Sequence, residues 1–156
     1  MEKLLLFLLQ GIPESSGQFA LSLALLGVPL RWKRIIAAGT VFALIMFSIR
    51  TLPFTFGIHT AVGVFIIVFA INRTISHIPI TKIFIAVLVN FSTLLLLEYV
   101  IMEIFFAATG LDPNSTIAEN SNVLWILSGL PQALLLNVFA LLVVRYKKPQ
   151  EDALRI

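Results

Sequence analysis

Gln10, Glu14 and Gln18 recur at intervals of four residues and therefore share one face of a helix. Arg50, His59, Glu98 and Gln132 lie inside or beside long apolar runs. An ionisable group at the centre of a membrane helix costs about 2.5 to 3.5 kcal/mol, so each needs a partner, water or a ligand. Carboxylates, carboxamides, a guanidinium and an imidazole at such positions offer hydrogen bonding and charge: they can hold a polar guest, or they can join helices to one another. Pro13 removes one backbone hydrogen bond beside Glu14 and bends the helix that carries the row, and Gly11, Ser15 and Gly17 flank it. Those small residues suit a packed polar seam as well as a site, so both readings stay open.

Group transfer needs more than this. The chain has no cysteine, which removes disulfides, thiolate metal sites and cysteine nucleophiles. Neither His-x-x-x-His nor Glu-x-x-His spacing occurs, and Ser15-Ser16-Gly17 has no positioned base. The Gly-x-Ser-x-Gly elbow, the Gly-rich phosphate loop and the dinucleotide fingerprint are all missing from the sequence. The expectation is a non-enzymatic protein with no catalytic residue, metal ligand or cofactor.

The elements that position the polar set follow from composition and charge. Hydrophobic residues make up 59% of the 156, charged residues 12%, and mean hydropathy is +1.01. Soluble domains average about 45 to 50% and about 25%. The apolar runs are Leu4 to Leu30, Ile35 to Ile49, Ile58 to Ile71, Ile83 to Ala108 and Val123 to Val144. Nine of the eleven Lys and Arg residues (Arg31, Lys33, Arg34, Arg73, Lys82, Arg145, Lys147, Lys148, Arg155) fall in alternate connections or in the tail, leaving Lys3 and Arg50 opposite. The positive-inside rule then predicts an all-α polytopic bundle of about five transmembrane helices in a bacterial plasma membrane, N-terminus outside and C-terminus cytoplasmic. Residues 1–148 form one transmembrane domain and 149–156 a short tail. The opening stretch of the first run, Leu4 to Leu9, is short and is interrupted by Gln10-Gly11-Ile12-Pro13-Glu14 rather than closed by a small-residue cleavage site. It therefore reads poorly as a signal peptide, and the run is expected to stay as the first span. The net charge of +3 serves orientation against an anionic leaflet rather than nucleic acid, because the basic residues sit at segment ends. Trp32 and Trp125 are read as interfacial anchors.

The second and third runs are short, and Arg50 to Gly57, with Pro53, makes a tight or re-entrant connection between them. Thr109 to Asn122, rich in loop formers and without a basic residue, belongs outside. Glu14 and Glu98 each lie about ten residues from the outer ends of their spans, about 15 Å of rise, and so share a depth. Arg50, His59 and Gln132, after Pro131, reach the same level. An outward-facing polar pocket lined by Gln10, Glu14, Gln18, Arg50, His59, Glu98 and Gln132 is therefore expected, with Arg50 the cation available to pair a carboxylate.

Three stretches, Leu9-Gln-Gly-Ile-Pro-Glu14, Leu26-Gly-Val-Pro-Leu-Arg-Trp-Lys-Arg34 and Ile49-Arg-Thr-Leu-Pro-Phe-Thr-Phe-Gly-Ile-His-Thr60, resemble the multi-span N-terminal region of Gram-positive, peptide-sensing histidine kinases of the accessory-gene-regulator type. The resemblance implies a membrane bundle that detects a signal and passes it through its last helix to a kinase core in a two-component system. Here only twelve residues follow Val144, so autophosphorylation is not expected and no catalytic residue carries over. The expectation is a sensor-like or regulatory module in the lipid bilayer that signals to a separate histidine kinase or other membrane protein, or acts as a homo-oligomer. A transport component, either a substrate-binding subunit or a small proton-coupled carrier, and a structural assembly partner are the alternatives.

Overall fold

The computed structural model describes residues 2–50, 58–75, 77–110 and 122–147, without the side chains of residues 2–4, 6, 50 and 122–128. These residues form five helices and no strand: α1 Glu2–Leu25, α2 Trp32–Arg50, α3 Ile58–Thr74, α4 Ile80–Thr109 and α5 Asn122–Tyr146. Each apolar run falls on one helix. The connection through Pro53, most of the loop from Thr109 to Asn122, and the tail lie outside the described residues.

Helix ends differ from the apolar runs where local chemistry sets them. The first run extends to Leu30, but α1 stops at Leu25 because Gly27 takes the left-handed conformation, φ 73°. The Gly27 amide donates to the Ala24 carbonyl and the Val28 amide to the Leu23 carbonyl, both at 3.0 Å, which closes the last turn, and Pro29 prevents continuation. The Arg31 carbonyl accepts the amides of Arg34 and Ile35 at 2.9 and 3.0 Å, so α2 starts at Trp32, ahead of the run that begins at Ile35. Gly110, φ 65°, ends α4.

α2, α3, α4 and α5 form an arc in which each helix packs on the next along α2, α3 and α4, and α4 packs on α5. α1 lies within it against α2, α4 and α5. Two close approaches seat α1. A Cβ on Gly39 of α2 would lie 2.6 Å from Ser16 Oγ and 2.9 Å from the Ser16 amide nitrogen, so the backbones nearly touch there. Gly17 of α1 meets Leu136 of α5, whose Cβ would be 3.2 Å from an added Cβ. Small residues at helix contacts allow backbones to approach this closely.

The exterior is apolar, and within an apolar core a set of polar side chains is buried as well. Phe65, Phe69, Ile85, Leu95, Leu96 and Leu134 face outward, while Gln10, Ser15, Ser16, Gln18, Ser22, Asn90 and Gln132 are buried. Apolar core residues follow helical spacing on α4 (Ile83, Val87, Leu94) and α5 (Ala133, Leu136, Ala140). Outward hydroxyls satisfy themselves: Thr40, Thr93 and Thr109 each donate to the carbonyl four residues earlier, at 2.8, 2.9 and 2.8 Å. Three stretches, Trp32–Ile49, Ile80–Thr109 and Gly129–Tyr146, are long and apolar enough to cross a membrane. α3, with 17 residues, is apolar but shorter.

Gly39→Ala is expected to lower stability by about 1 to 3 kcal/mol, the range for overpacking, because the obstacle is backbone rather than a movable side-chain tip. Denaturant titration in mixed micelles measures it. Ala37→Leu, on the exposed side of the same helix, is expected to stay within about 0.5 kcal/mol of the parent.

Candidate functional site

The polar row of α1 opens onto a cavity of about 160 Å³. Gln10, Glu14 and Gln18 of α1, His59 of α3, Glu98 of α4 and Gln132 of α5 all line it. The seventh residue expected there, Arg50, ends α2, and its side chain lies outside the described residues. Phe7, Phe42, Met46, Phe91 and Leu94 complete the wall, with the hydroxyl groups of Ser15 and Thr60. A space of this size holds several waters or a small organic molecule, since one water needs only about 10 to 15 Å³ of probe-occupied volume.

The cavity is graded from a closed inside to an open rim. Gln10, Gln18 and Gln132 are 4%, 5% and 6% exposed, and among the described residues the Oε1 atoms of Gln10 and Gln18 have no hydrogen-bond partner. Buried polar atoms are nearly always paired, with protein or with ordered water, so these two acceptors in a cavity leave room for a donor such as water. The Gln18 amide reaches Glu14 Oε1 only at 3.5 Å, the long limit of a hydrogen bond. Glu14 and His59 are half-buried, and Glu98 is exposed at the rim. Glu14 and Glu98 thus line one hollow and differ in exposure. Asn90, eight residues from Glu98 and about 80° away around the helix, is fully buried and outside the lining.

Packing at Gly129 holds the first carboxamide in place. A Cβ there would collide with the Gln10 side chain, so only glycine leaves α5 close enough for Gln10 to fill the groove. At the inner end Phe42 packs edge-to-face on Phe19, with centroids 5.8 Å apart and planes at 87°. Phe19 lines a second, apolar crevice, so this ring pair divides the two hollows.

The sequence reading missed Asn137. Its Nδ2 donates to the Pro13 carbonyl of α1 at 2.9 Å and to the Ala133 carbonyl of its own helix at 2.8 Å. Gly17 makes room, because a Cβ there would lie 2.9 Å from the same nitrogen. α1 is therefore tied to α5 at Pro13. A carboxamide amid the apolar residues of α5 was the available signal. A second tie escaped notice: Lys147 Nζ donates to the Leu25 carbonyl at 2.7 Å, placing a cation on the C-terminal end of α1.

Among the described residues no group of three or more His, Asp or Glu side chains is placed to hold a metal ion. No protein family, curated protein or solved structure matches the chain. The geometry therefore carries the functional argument by itself.

Asn137→Ala removes both carboxamide bonds. The expected loss is about 0.6 to 1.7 kcal/mol, the span of interhelical hydrogen bonds in membrane bundles. Thermal unfolding in micelles checks it, and an unchanged midpoint would show that the Pro13 tie contributes nothing.

Proposed function

We propose that the chain is a five-span, non-enzymatic sensor-like or regulatory module whose outward-facing cavity takes a small guest rich in hydrogen-bond donors and positively charged. The observation that carries this reading is the pair of buried, unpartnered acceptors, Gln10 Oε1 and Gln18 Oε1, in one cavity with two carboxylates. Acceptors that lack donors select a donor. Phe7, Phe42 and Phe91 line the same cavity, and aromatic rings attract cations. A protonated amine with a short apolar body matches both.

The membrane setting rests on the apolar exterior, on the hydroxyls bonded back to their own helices, and on the positions of Arg31, Lys33, Arg34, Arg73, Lys82, Arg145 and Lys147. The connector 26–31, the connector 75–79 and the end of α5 gather at one end of the bundle, where Lys147 meets Leu25. That end faces the cytoplasm under the positive-inside rule, and the polar cavity opens on the other side. Binding near Glu14 acts on α1 beside its proline, and α5 carries the displacement to the basic end, where a separate histidine kinase, another membrane protein or a second copy reads it.

Transport is the second reading, favoured by a proline-interrupted helix beside intramembrane carboxylates. The Phe19–Phe42 pair and the fully buried Ala20, Ile67 and Val87 weigh against a continuous path through the bundle.

Because the chain has no cysteine, single cysteines report access cleanly. Ser15→Cys is expected to react with a membrane-impermeant cationic thiosulfonate added outside, at least about tenfold faster than with its anionic counterpart, as fields in charged clefts alter on-rates by 10 to 10³. Lys33→Cys is expected to react only from the cytoplasmic face. Adding Glu14→Gln and Glu98→Gln is expected to erase most of the cation preference at Ser15→Cys. Labelling of Ser15→Cys only from the basic side would overturn the orientation, and equal rates for both reagents would overturn the guest chemistry. Small amines that protect Ser15→Cys can then be tested for flux in proteoliposomes: a sensor moves none of them.

A further inference from the structure

A second hollow lies at the basic end, between α1, α2 and α3 and beneath the two short connectors. It measures about 110 Å³ and is walled by Phe19, Leu23, Val28, Ile35, Ile71 and Ile75. Its polar rim consists of Arg31 and Arg34, with Thr74, whose hydroxyl already donates to the Ala70 carbonyl at 2.9 Å. Both arginines are exposed. We propose that this crevice is a binding site for one anionic phospholipid, with the start of an acyl chain between α1 and α3 and the phosphate on Arg31 and Arg34. The proposal rests on the membrane reading and on nothing in the polar cavity.

Shape and charge point to one class of occupant. A dry apolar cavity of about 150 Å³ takes a guest the size of benzene, and this crevice takes a short run of chain carbons. A free phosphate or nucleotide would use the arginines and leave the apolar wall in water. A neutral lipid would use the wall and leave the guanidiniums without an anion. An anionic lipid uses both. Guanidinium binds phosphate oxygens through two parallel N–H bonds, which an ammonium cannot do. The Arg31 carbonyl is held by the amides of Arg34 and Ile35, so this rim is built into the start of α2 rather than hung on a loop. No acidic residue occupies the first turn of α2, so nothing there competes for the arginines. Basic pockets between membrane helices on the cytoplasmic side are the general setting for anionic headgroups.

The site also sits behind the ring pair. Phe19 lines the crevice and stacks on Phe42, which lines the polar cavity. A chain lodged against Phe19 supports that divide from the cytoplasmic side.

The test uses the full 156-residue chain, delipidated in neutral detergent, with phosphatidylglycerol or phosphatidylcholine of identical acyl chains, read by native mass spectrometry. One phosphatidylglycerol is expected to bind in preference to phosphatidylcholine. Arg31→Gln with Arg34→Gln is expected to weaken phosphatidylglycerol about 10- to 30-fold, the worth of two basic residues at an anionic headgroup, and to leave phosphatidylcholine unchanged. Ala70→Phe, which fills the crevice, is expected to abolish the specific site for both lipids. Lys82→Gln with Arg145→Gln, exposed at the same end but outside the crevice, is the control for general surface charge. An equal loss in that control, undiminished binding in the arginine pair, or displacement of the lipid by millimolar glycerol phosphate would each overturn the proposal. Circular dichroism and elution volume show whether Ala70→Phe folds; if it does not, the exposed arginine pair decides alone.

Discussion

A helix with a proline in its middle and five buried polar side chains cannot stand against hydrocarbon, and the arrangement of the other four helices follows from that constraint. Gln10, Ser15, Ser16, Gln18 and Ser22 all belong to α1. Each unmet polar group in an apolar medium costs several kcal/mol, about 4 to 8 for transfer to cyclohexane, so α1 must be enclosed. Its neighbours approach through glycine, with Gly39 on one side and Gly129 on the other. The remaining helices then turn their apolar faces outward, because the polar content has already been gathered at the centre.

Enclosure of this kind does not satisfy everything. Asn137 meets the Pro13 carbonyl, and Lys147 meets the Leu25 carbonyl, yet Gln10 Oε1 and Gln18 Oε1 face a hollow. Had these carboxamides served only as a seam, the helices could have closed on them, as α5 closes on Gly17 through Leu136. Phe7, Phe42, Met46 and Phe91 instead keep the walls apart with bulk that does not hydrogen-bond. That combination of orphaned acceptors and propped walls is what the proposed reading rests on.

The fold was legible where one helix at a time carries the information. Each apolar run became a helix, and the four-residue spacing of Gln10, Glu14 and Gln18 put them in one cavity with Gln132 and His59. Where two helices have to be known together, the sequence was mute. Ser16 against Gly39 and Asn137 over Gly17 are pair contacts with no periodicity of their own. Glu98 shows the limit most clearly: its depth along α4 matched that of Glu14, but depth does not fix rotation, and its side chain stands at the exposed rim. The early end of α1 was written in Gly27 and Pro29, yet the apolar run through Leu30 masked it, because those residues continue the hydrophobic surface without continuing the helix.

One helix is fastened less closely than the other four. α1 is bound to α5 at Pro13 and again at Leu25, twelve residues and about 18 Å further along, and it lies backbone to backbone on α2 at Ser16. α3 instead packs on α4 and only sparsely on α2. The wall of the polar cavity draws on both the closely packed helices and α3. Gln10, Glu14, Gln18, Glu98 and Gln132 stand on α1, α4 and α5, which pack on one another, and His59 stands on α3. On the proposed reading, a guest that engages Glu14 and His59 together bridges α3 to the other helices across its looser seam. Close-packed interiors rearrange between discrete states rather than flex continuously, so on that reading the displacement reappears where α3 next meets α1 and α2. That place is the apolar crevice at the basic end of the bundle, which Phe19, Ile35 and Ile71 line together.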